Sequence, residues 1–209
     1  DDQEKARISR MVGDCYLANQ DYGNALPRFL QLLESEPNPD ARDYLYGRAV
    51  ECHLQMGTAS AAVELLDQAR TDARPLSDPI WRAEWNLAMF RVRNHDPLAA
   101  MNRMEGVYKM FEDALGSGGS EDWKTVGLLR SGWILAFLNL QSGDNERVLQ
   151  YVERVTGRLP VPEDPDVEAR HAPMLAELRV LEARARFGLG QHQEGQQVFE
   201  MVRAMNGLS

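Results

Sequence analysis

The feature that most constrains this chain is a short pattern near its start: Val12-Gly13, then Tyr16, Ala25, Phe29 and Pro37. At helical spacing Gly13 and Tyr16 fall on one face, and Ala25 and Phe29, four apart, fall on one face of a second helix. The polar stretch Asn19-Gln20-Asp21-Tyr22-Gly23 between them reads as a turn. Two antiparallel helices are therefore expected. They cross closely where the side chains are small (Gly13, Ala25), and the rings of Tyr16 and Phe29 fill the space beside the crossing. One such hairpin alone leaves an apolar face in water, so the rest of the chain has to cover it.

Later segments repeat the stripe. Tyr46, Ala49, Val50 and His53 precede a turn at Gly57, and Ala62, Leu66 and Ala69 follow it. Trp81, Trp85, Ala88, Met89 and Val92 lead into Asn94-His95-Asp96-Pro97, with Asp96 placed to cap and Pro97 at the first helical position. Ala100, Met104, Val107 and Phe111 continue, with Ala99 and Ala100 both fitting the crossing. A long helix over about 121–141 carries Ala136, turns at Ser142-Gly143-Asp144, and is followed by Val148, Val152 and Val155. The last pair runs from Asp166 to Gly188, turns at Gly190-Gln191-His192, and ends with Gly195, Phe199 and Val202, Gly195 and Phe199 copying the Ala25–Phe29 spacing. Five hairpins result, at about 6–39, 43–76, 79–115, 121–159 and 166–206. Pro160, Pro162 and Pro165 form a stiff connector. Gly116-Ser117-Gly118-Gly119-Ser120 is a flexible linker, either native or an engineered insertion. No strand-like alternation is present.

The spacing of Gly13, Tyr16, Ala25, Phe29 and Pro37 resembles the tetratricopeptide repeat, whose signature runs Trp, Leu-Gly, Tyr, Ala, Phe, Pro. Ser9 stands where the Trp would be. The resemblance implies an all-α, right-handed superhelical α-solenoid of stacked antiparallel helix pairs, one domain over 1–209. It also implies that the first helix of each pair lines a concave groove that binds another molecule, without catalysis.

Composition agrees with a folded chain: 44% of residues are hydrophobic and 26% charged. No apolar run approaches the roughly 18 residues of a membrane span, so direct membrane insertion is not expected. The net charge of -9 repels nucleic acid. The cations are almost all Arg, with only Lys5, Lys109 and Lys124 as lysines; either codon bias or a use of Arg for planar carboxylate recognition accounts for this. Cys15 and Cys52 fall at equivalent places one repeat apart, too far for a disulfide. Two buried thiols are expected, in the cytoplasm or another reducing compartment. The chain begins Asp1-Asp2 without Met, which reads as a fragment or a processed form.

No catalytic constellation emerges. His53, His95, His171 and His192 lie in separate repeats, so no metal site is expected. There is no phosphate-binding Gly loop or nucleophile elbow, and no cofactor is implied. Glu163, Asp164 and Asp166 read as a solvated acidic loop.

The expected groove is lined by Arg7, Arg10, Asp14 and Leu17; by Tyr44, Gly47, Glu51 and Gln55; by Arg82, Trp85, Met89 and Arg93; by Arg130, Trp133, Phe137 and Gln141; and by Glu177, Val180, Arg184 and Phe187. Arg beside large aromatics suits an acidic-apolar peptide segment of a protein partner. Trp85 and Trp133 fit either the groove or the core. A clamp for the acidic tail of heat-shock chaperones, built in related repeats from Lys and Asn, is disfavoured, because Arg10, Asp14, Arg48 and Glu51 occupy the matching places. The expected function is a scaffold or adaptor within a larger complex. The alternative is the sensor part of a multi-domain regulator that responds to a small ligand or peptide. Phe199, Met201, Val202 and Met205 leave a C-terminal helix face for further association.

Overall fold

The computed structural model describes residues 2–70, 76–116, 122–159 and 164–205. Among the described residues the chain is helical without a strand. Its helices are α1 (Asp2–Ala18), α2 (Tyr22–Ser35), α3 (Pro39–Gln55), α4 (Ala59–Arg70), α5 (Asp78–Arg93), α6 (Pro97–Gly116), α7 (Asp122–Gln141), α8 (Asn145–Thr156), α9 (Pro165–Gly188) and α10 (His192–Met205). The linker residues Ser117–Ser120, and Pro160, Pro162 and Glu163, lie outside the described residues. Helix α3 begins earlier than the expected start near Asp43. Asn38 Oδ1 accepts the N–H groups of Asp40 (2.9 Å) and Ala41 (3.2 Å), and Pro39 occupies the first turn, where its missing N–H costs nothing.

Five of the turns between described helices share one construction. Each places a single residue in the left-handed region: Gln20 (φ 59), Gly57 (φ 75), His95 (φ 62), Gly143 (φ 81) and Gly190 (φ 75). The next residue then donates its N–H five residues back: Asp21 to Tyr16 O (2.8 Å), Thr58 to His53 O (2.8 Å), Asp96 to Arg91 O (2.9 Å), Asp144 to Asn139 O (2.9 Å) and Gln191 to Arg186 O (2.9 Å). This is the Schellman closure of a helix C-terminus. The same residue immediately precedes the next helix. Asp21 and Asp144 cap it with their side chains, accepting from Asn24 N (3.3 Å) and Arg147 N (3.1 Å). One residue thus ends one helix and starts the next, which is why the turns are so short.

The chain separates into two compact units, Asp1–Asp96 and Pro97–Ser209, with the boundary in the turn between α5 and α6. In the first unit α1 packs on α2, α2 on α3, and α3 on both α4 and α5. Its core holds Ala25, Phe29, Leu45, Ala49, Cys52, Ala62, Leu66 and Leu87. Gly13 makes the closest crossing, since a Cβ there would lie 2.8 Å from the Phe29 ring. In the second unit α7 is central, packed against α6, α8 and α9, with α10 on α9. Ala100, fully buried, takes the crossing place on α6, and Ala99 is only half-buried.

Two expectations need correction. Cys15 is exposed and only Cys52 is buried, both as free thiols. Cys15 falls on the face of α1 that carries exposed Ile8 and Met11, turned away from α2. Burial, reinforced by the charge of Glu51, pushes the Cys52 thiol up to about 11. The second concerns α10: Phe199 (44% exposed), Met201 and Met205 lie open as the expected C-terminal face, but Val202 is buried, and Phe199 is not the ring nearest Gly195. The ring against Gly195 is instead that of Phe187 on α9, 3.0 Å from where a Cβ would be.

Candidate functional site

On the first unit, α1 and α3 bring four of the expected groove residues together. Tyr44 Oη donates to Asp14 Oδ1 at 2.6 Å, and Arg48 Nε donates to the same phenol oxygen at 3.1 Å. Arg48 also reaches Glu51 Oε2 (3.0 Å) and stands 3.6 Å from Asp14 Oδ1. The guanidinium groups of Arg48 and Arg10 lie over the Tyr44 ring, 5.1 and 5.9 Å from its centroid. Burial and the Asp14 carboxylate raise the Tyr44 pKa, so the phenol stays a donor to Asp14. Burial works against the Arg48 charge, but its bonds to Tyr44 and Glu51 outweigh this and raise its pKa.

Helix α5 supplies the next wall. Asp78, in its first turn, accepts from Trp81 Nε1 (2.8 Å) and from Arg82 Nε (2.9 Å). This one carboxylate sets Arg82, whose guanidinium sits 5.5 Å from the centroid of the buried Trp81 ring. Between α3 and α5 lies a cleft of about 240 Å³ with Gly47, Pro79 and Ala83 on its floor and Tyr44, Arg48, Glu51, Asp78, Arg82 and Asn86 around it. Trp85 and Met89 are half-buried on the same helix and Arg93 is exposed, all outside the cleft lining. Arg7 and Arg10 border a separate cleft where α1, α2 and α3 meet.

On the second unit, Arg130, Trp133 and Phe137 lie on the face of α7 that is not fully buried. The two rings stack, 5.2 Å apart and 6° from parallel. Trp85 and Trp133 are thus both half-buried, between the two readings of them. Another cluster joins α6 to α8. Tyr151 Oη donates to Glu105 (3.0 Å), Arg154 binds Glu112 (2.7 Å), and the Tyr108 and Tyr151 rings meet edge to face. The Tyr108 hydroxyl is buried without a hydrogen-bond partner among the described residues. Burial, with the nearby carboxylates, pushes both phenols up to about 12.

Reading residues missed Arg48, Asp78 and Asn86 as groove elements. Arg48 lies three before Glu51, and Asp78 four before Arg82; these helical pair spacings are the signal that could have found them. Among the described residues no cluster of His, Cys, Asp and Glu could hold a metal ion. His171 instead pairs with Asp122 (2.7 Å), and Asp164 caps α9 by accepting from Asp166 N (2.8 Å). No described helix is long and apolar enough to cross a membrane.

No family model matches the chain, and no curated protein does. Solved structures do. A Podosopora anserina putative kinesin light chain with nearly identical tetratricopeptide-like repeats aligns over 98% of this chain and 96% of its own, at 20% identity and a TM-score of 0.58. BtubC from P. vanneervenii aligns over 93% of this chain and 77% of its own, at 16% identity and 0.64. MamA protein aligns over 98% and 93%, at 13% identity and 0.59. The likeness is one of fold: the chain is all-α, with the tetratricopeptide-like solenoid arrangement of antiparallel helix pairs.

Proposed function

We propose that this chain is a non-enzymatic scaffold or adaptor that holds a peptide segment or partner subunit on its inner helices, within a larger complex. One observation carries the reading. Asp14, Tyr44, Arg48 and Glu51 are locked into one hydrogen-bonded assembly, yet the charged three are each more than a third exposed. Ion pairs so exposed contribute about 1 kcal/mol or less to stability. A preset, partly open arrangement of Tyr and Arg is better explained as a contact surface, since those residue types concentrate binding energy and ordering them beforehand lowers the cost of association. The segment that suits it is acidic and apolar. Arg82 and Arg93 on the first unit, and Arg130 on the second, would meet carboxylates; Trp85 and Met89, and separately Trp133 with Phe137, would meet apolar side chains. The α10 face with Phe199, Met201 and Met205 is a further contact surface.

The test is native purification followed by identification of a stoichiometric co-eluting protein. Tyr44→Ala combined with Arg48→Glu is expected to release it while the chain stays folded, its melting temperature lowered by a few degrees because the Asp14–Tyr44–Arg48–Glu51 bonds are lost. A partner retained by that variant overturns the groove. Retention by Arg82→Glu with Arg130→Glu would overturn the acidic-apolar segment alone. If a small metabolite raises the melting temperature and no protein partner is found, the chain is a sensor instead.

A further inference from the structure

We infer that the cleft where α1, α2 and α3 meet is a docking site for an internal acidic-aliphatic peptide segment, with carboxylates held by Arg7 and Arg10. This deepens the scaffold reading and rests on it. The cleft measures about 530 Å³. Its floor is apolar: Ala6 from α1, Leu32 from α2, and Ala41 and Leu45 from α3. Arg7 and Arg10, one helical turn apart, stand on one rim. Neither makes an ion pair with a carboxylate among the described residues, although Arg10 leans on the Tyr44 ring.

Two other inner cations of this unit differ. Arg48 is committed to Glu51 and Asp14, and Arg82 to Asp78. An incoming carboxylate at those places would share the guanidinium with one already there. At Arg7 and Arg10 it would displace only water, beside an apolar floor that lowers the local dielectric and strengthens the bond.

The opposite wall is set in advance. Arg42 Nη1 donates to Leu33 O (3.3 Å) and Glu36 O (3.4 Å), tying the end of α2 to α3. Glu36 Oε1 accepts from Asn38 N (3.0 Å), so the one acidic group on the lining is already engaged with its own loop. A rigid wall, an apolar floor and two unspent guanidinium groups call for an aliphatic side chain next to carboxylates.

The probe is the capped peptide acetyl-Asp-Leu-Glu-Leu-Asp-amide, which has no terminal charge, titrated into the isotope-labelled chain and followed by amide NMR shifts. The expected result is a saturable shift at Leu32, Glu36, Ala41 and Leu45. The Asn-Leu-Gln-Leu-Asn counterpart is expected to bind about tenfold more weakly or worse, and Arg7→Gln with Arg10→Gln to abolish the response without lowering the melting temperature. Equal binding of the two peptides overturns the inference, as does binding that survives the double variant. Sodium hexanoate reproducing the shifts where the peptide does not would overturn it too, in favour of a small carboxylate. Binding lost in Arg82→Gln but kept in Arg7→Gln with Arg10→Gln would sink this cleft and leave the scaffold reading standing. That reading falls only if the purified chain has no partner that Tyr44→Ala with Arg48→Glu releases.

Discussion

Helix α3 in the first unit packs against α2, α4 and α5, and α7 in the second packs against α6, α8 and α9, yet they present different surfaces. Along α3 one stripe (Tyr44, Gly47, Arg48, Glu51) stays half-open, and its polar groups reach across to α1. Along α7 most side chains are buried, and two buried polar ones in its interior turn back on their own helix: Ser131 Oγ donates to Gly127 O (2.6 Å) and Asn139 Nδ2 to Leu135 O (2.7 Å). The glycines differ in the same way. A Cβ on Gly127 would lie 2.1 Å from the Phe111 ring and one on Gly132 2.2 Å from Val155, whereas one on Gly47 would meet Pro79 O at an ordinary 3.4 Å. The same place in a helical repeat can serve as a packing spine or as a contact surface. Close approach through buried glycines marks the first, and a half-open stripe of polar residues along the middle of the helix marks the second.

The sharpest way to break this comparison is to add one methyl group to each helix. Gly127→Ala should destabilise by about 3 kcal/mol, because the ring of Phe111 is itself buried and has nowhere to move. Gly47→Ala should be neutral or gain up to about 1 kcal/mol from helix propensity. Urea unfolding of both variants measures the contrast. Equal effects would mean that α7 is no more tightly packed than α3.

The tyrosines give the next contrast. The fold keeps Tyr108 and Tyr151 neutral up to about 12, while the unfolded chain ionises near 10. Folding stability is therefore unaffected by these groups below pH 10 and falls as pH rises from 10 towards 12, by at least about 1 kcal/mol. Tyr108→Phe should flatten that fall. At neutral pH it should cost nothing or stabilise, since the buried hydroxyl it removes has no partner. Tyr44→Phe should instead lose about 1 kcal/mol, because its hydroxyl joins Asp14 to Arg48. Chemical denaturation across pH separates the two.

Much of this was legible in the residues, for identifiable reasons. The hairpins announce themselves because each turn needs a left-handed residue and a capping one, and Gly57, Gly143-Asp144 and Asp21 are the types that supply them. On α7 Arg130 and Gln141 mark the less buried side, but the residues left Trp133 between groove and core, and its half-burial keeps it there. What a helical period cannot show is which helix lies opposite. Tyr44 and Asp14 are thirty positions apart, and their bond exists only once α1 and α3 are packed. Arg48 drew attention only as a poor match to a chaperone-tail clamp; its role as the centre of the network depends on that packing. The exposure of Cys15 was misread on the same ground: it holds the place that buried Cys52 holds one repeat later, but it sits on a face of α1 that no described neighbour covers.

The smallest expected effect tests the turns, where the two units are alike. Gln20 and His95 hold the left-handed conformation that Gly57, Gly143 and Gly190 hold elsewhere. A side chain there brings Cβ close to the backbone carbonyl, at a cost of about 1 kcal/mol that glycine does not incur. Glycine also gives the unfolded chain more freedom, which offsets part of the gain. His95→Gly and Gln20→Gly should therefore each stabilise by about 0.5 kcal/mol, visible as a rise in melting temperature of a degree or two. Gly143→Ala should lose about 1 kcal/mol. Polar residues tolerate the left-handed region better than alanine does, so His95→Ala, placed between these limits, separates backbone strain from any contact of the imidazole. If His95→Ala destabilises while His95→Gly stabilises, strain at the turn is the whole effect; if both destabilise, the histidine ring is bonded in a way that repays it.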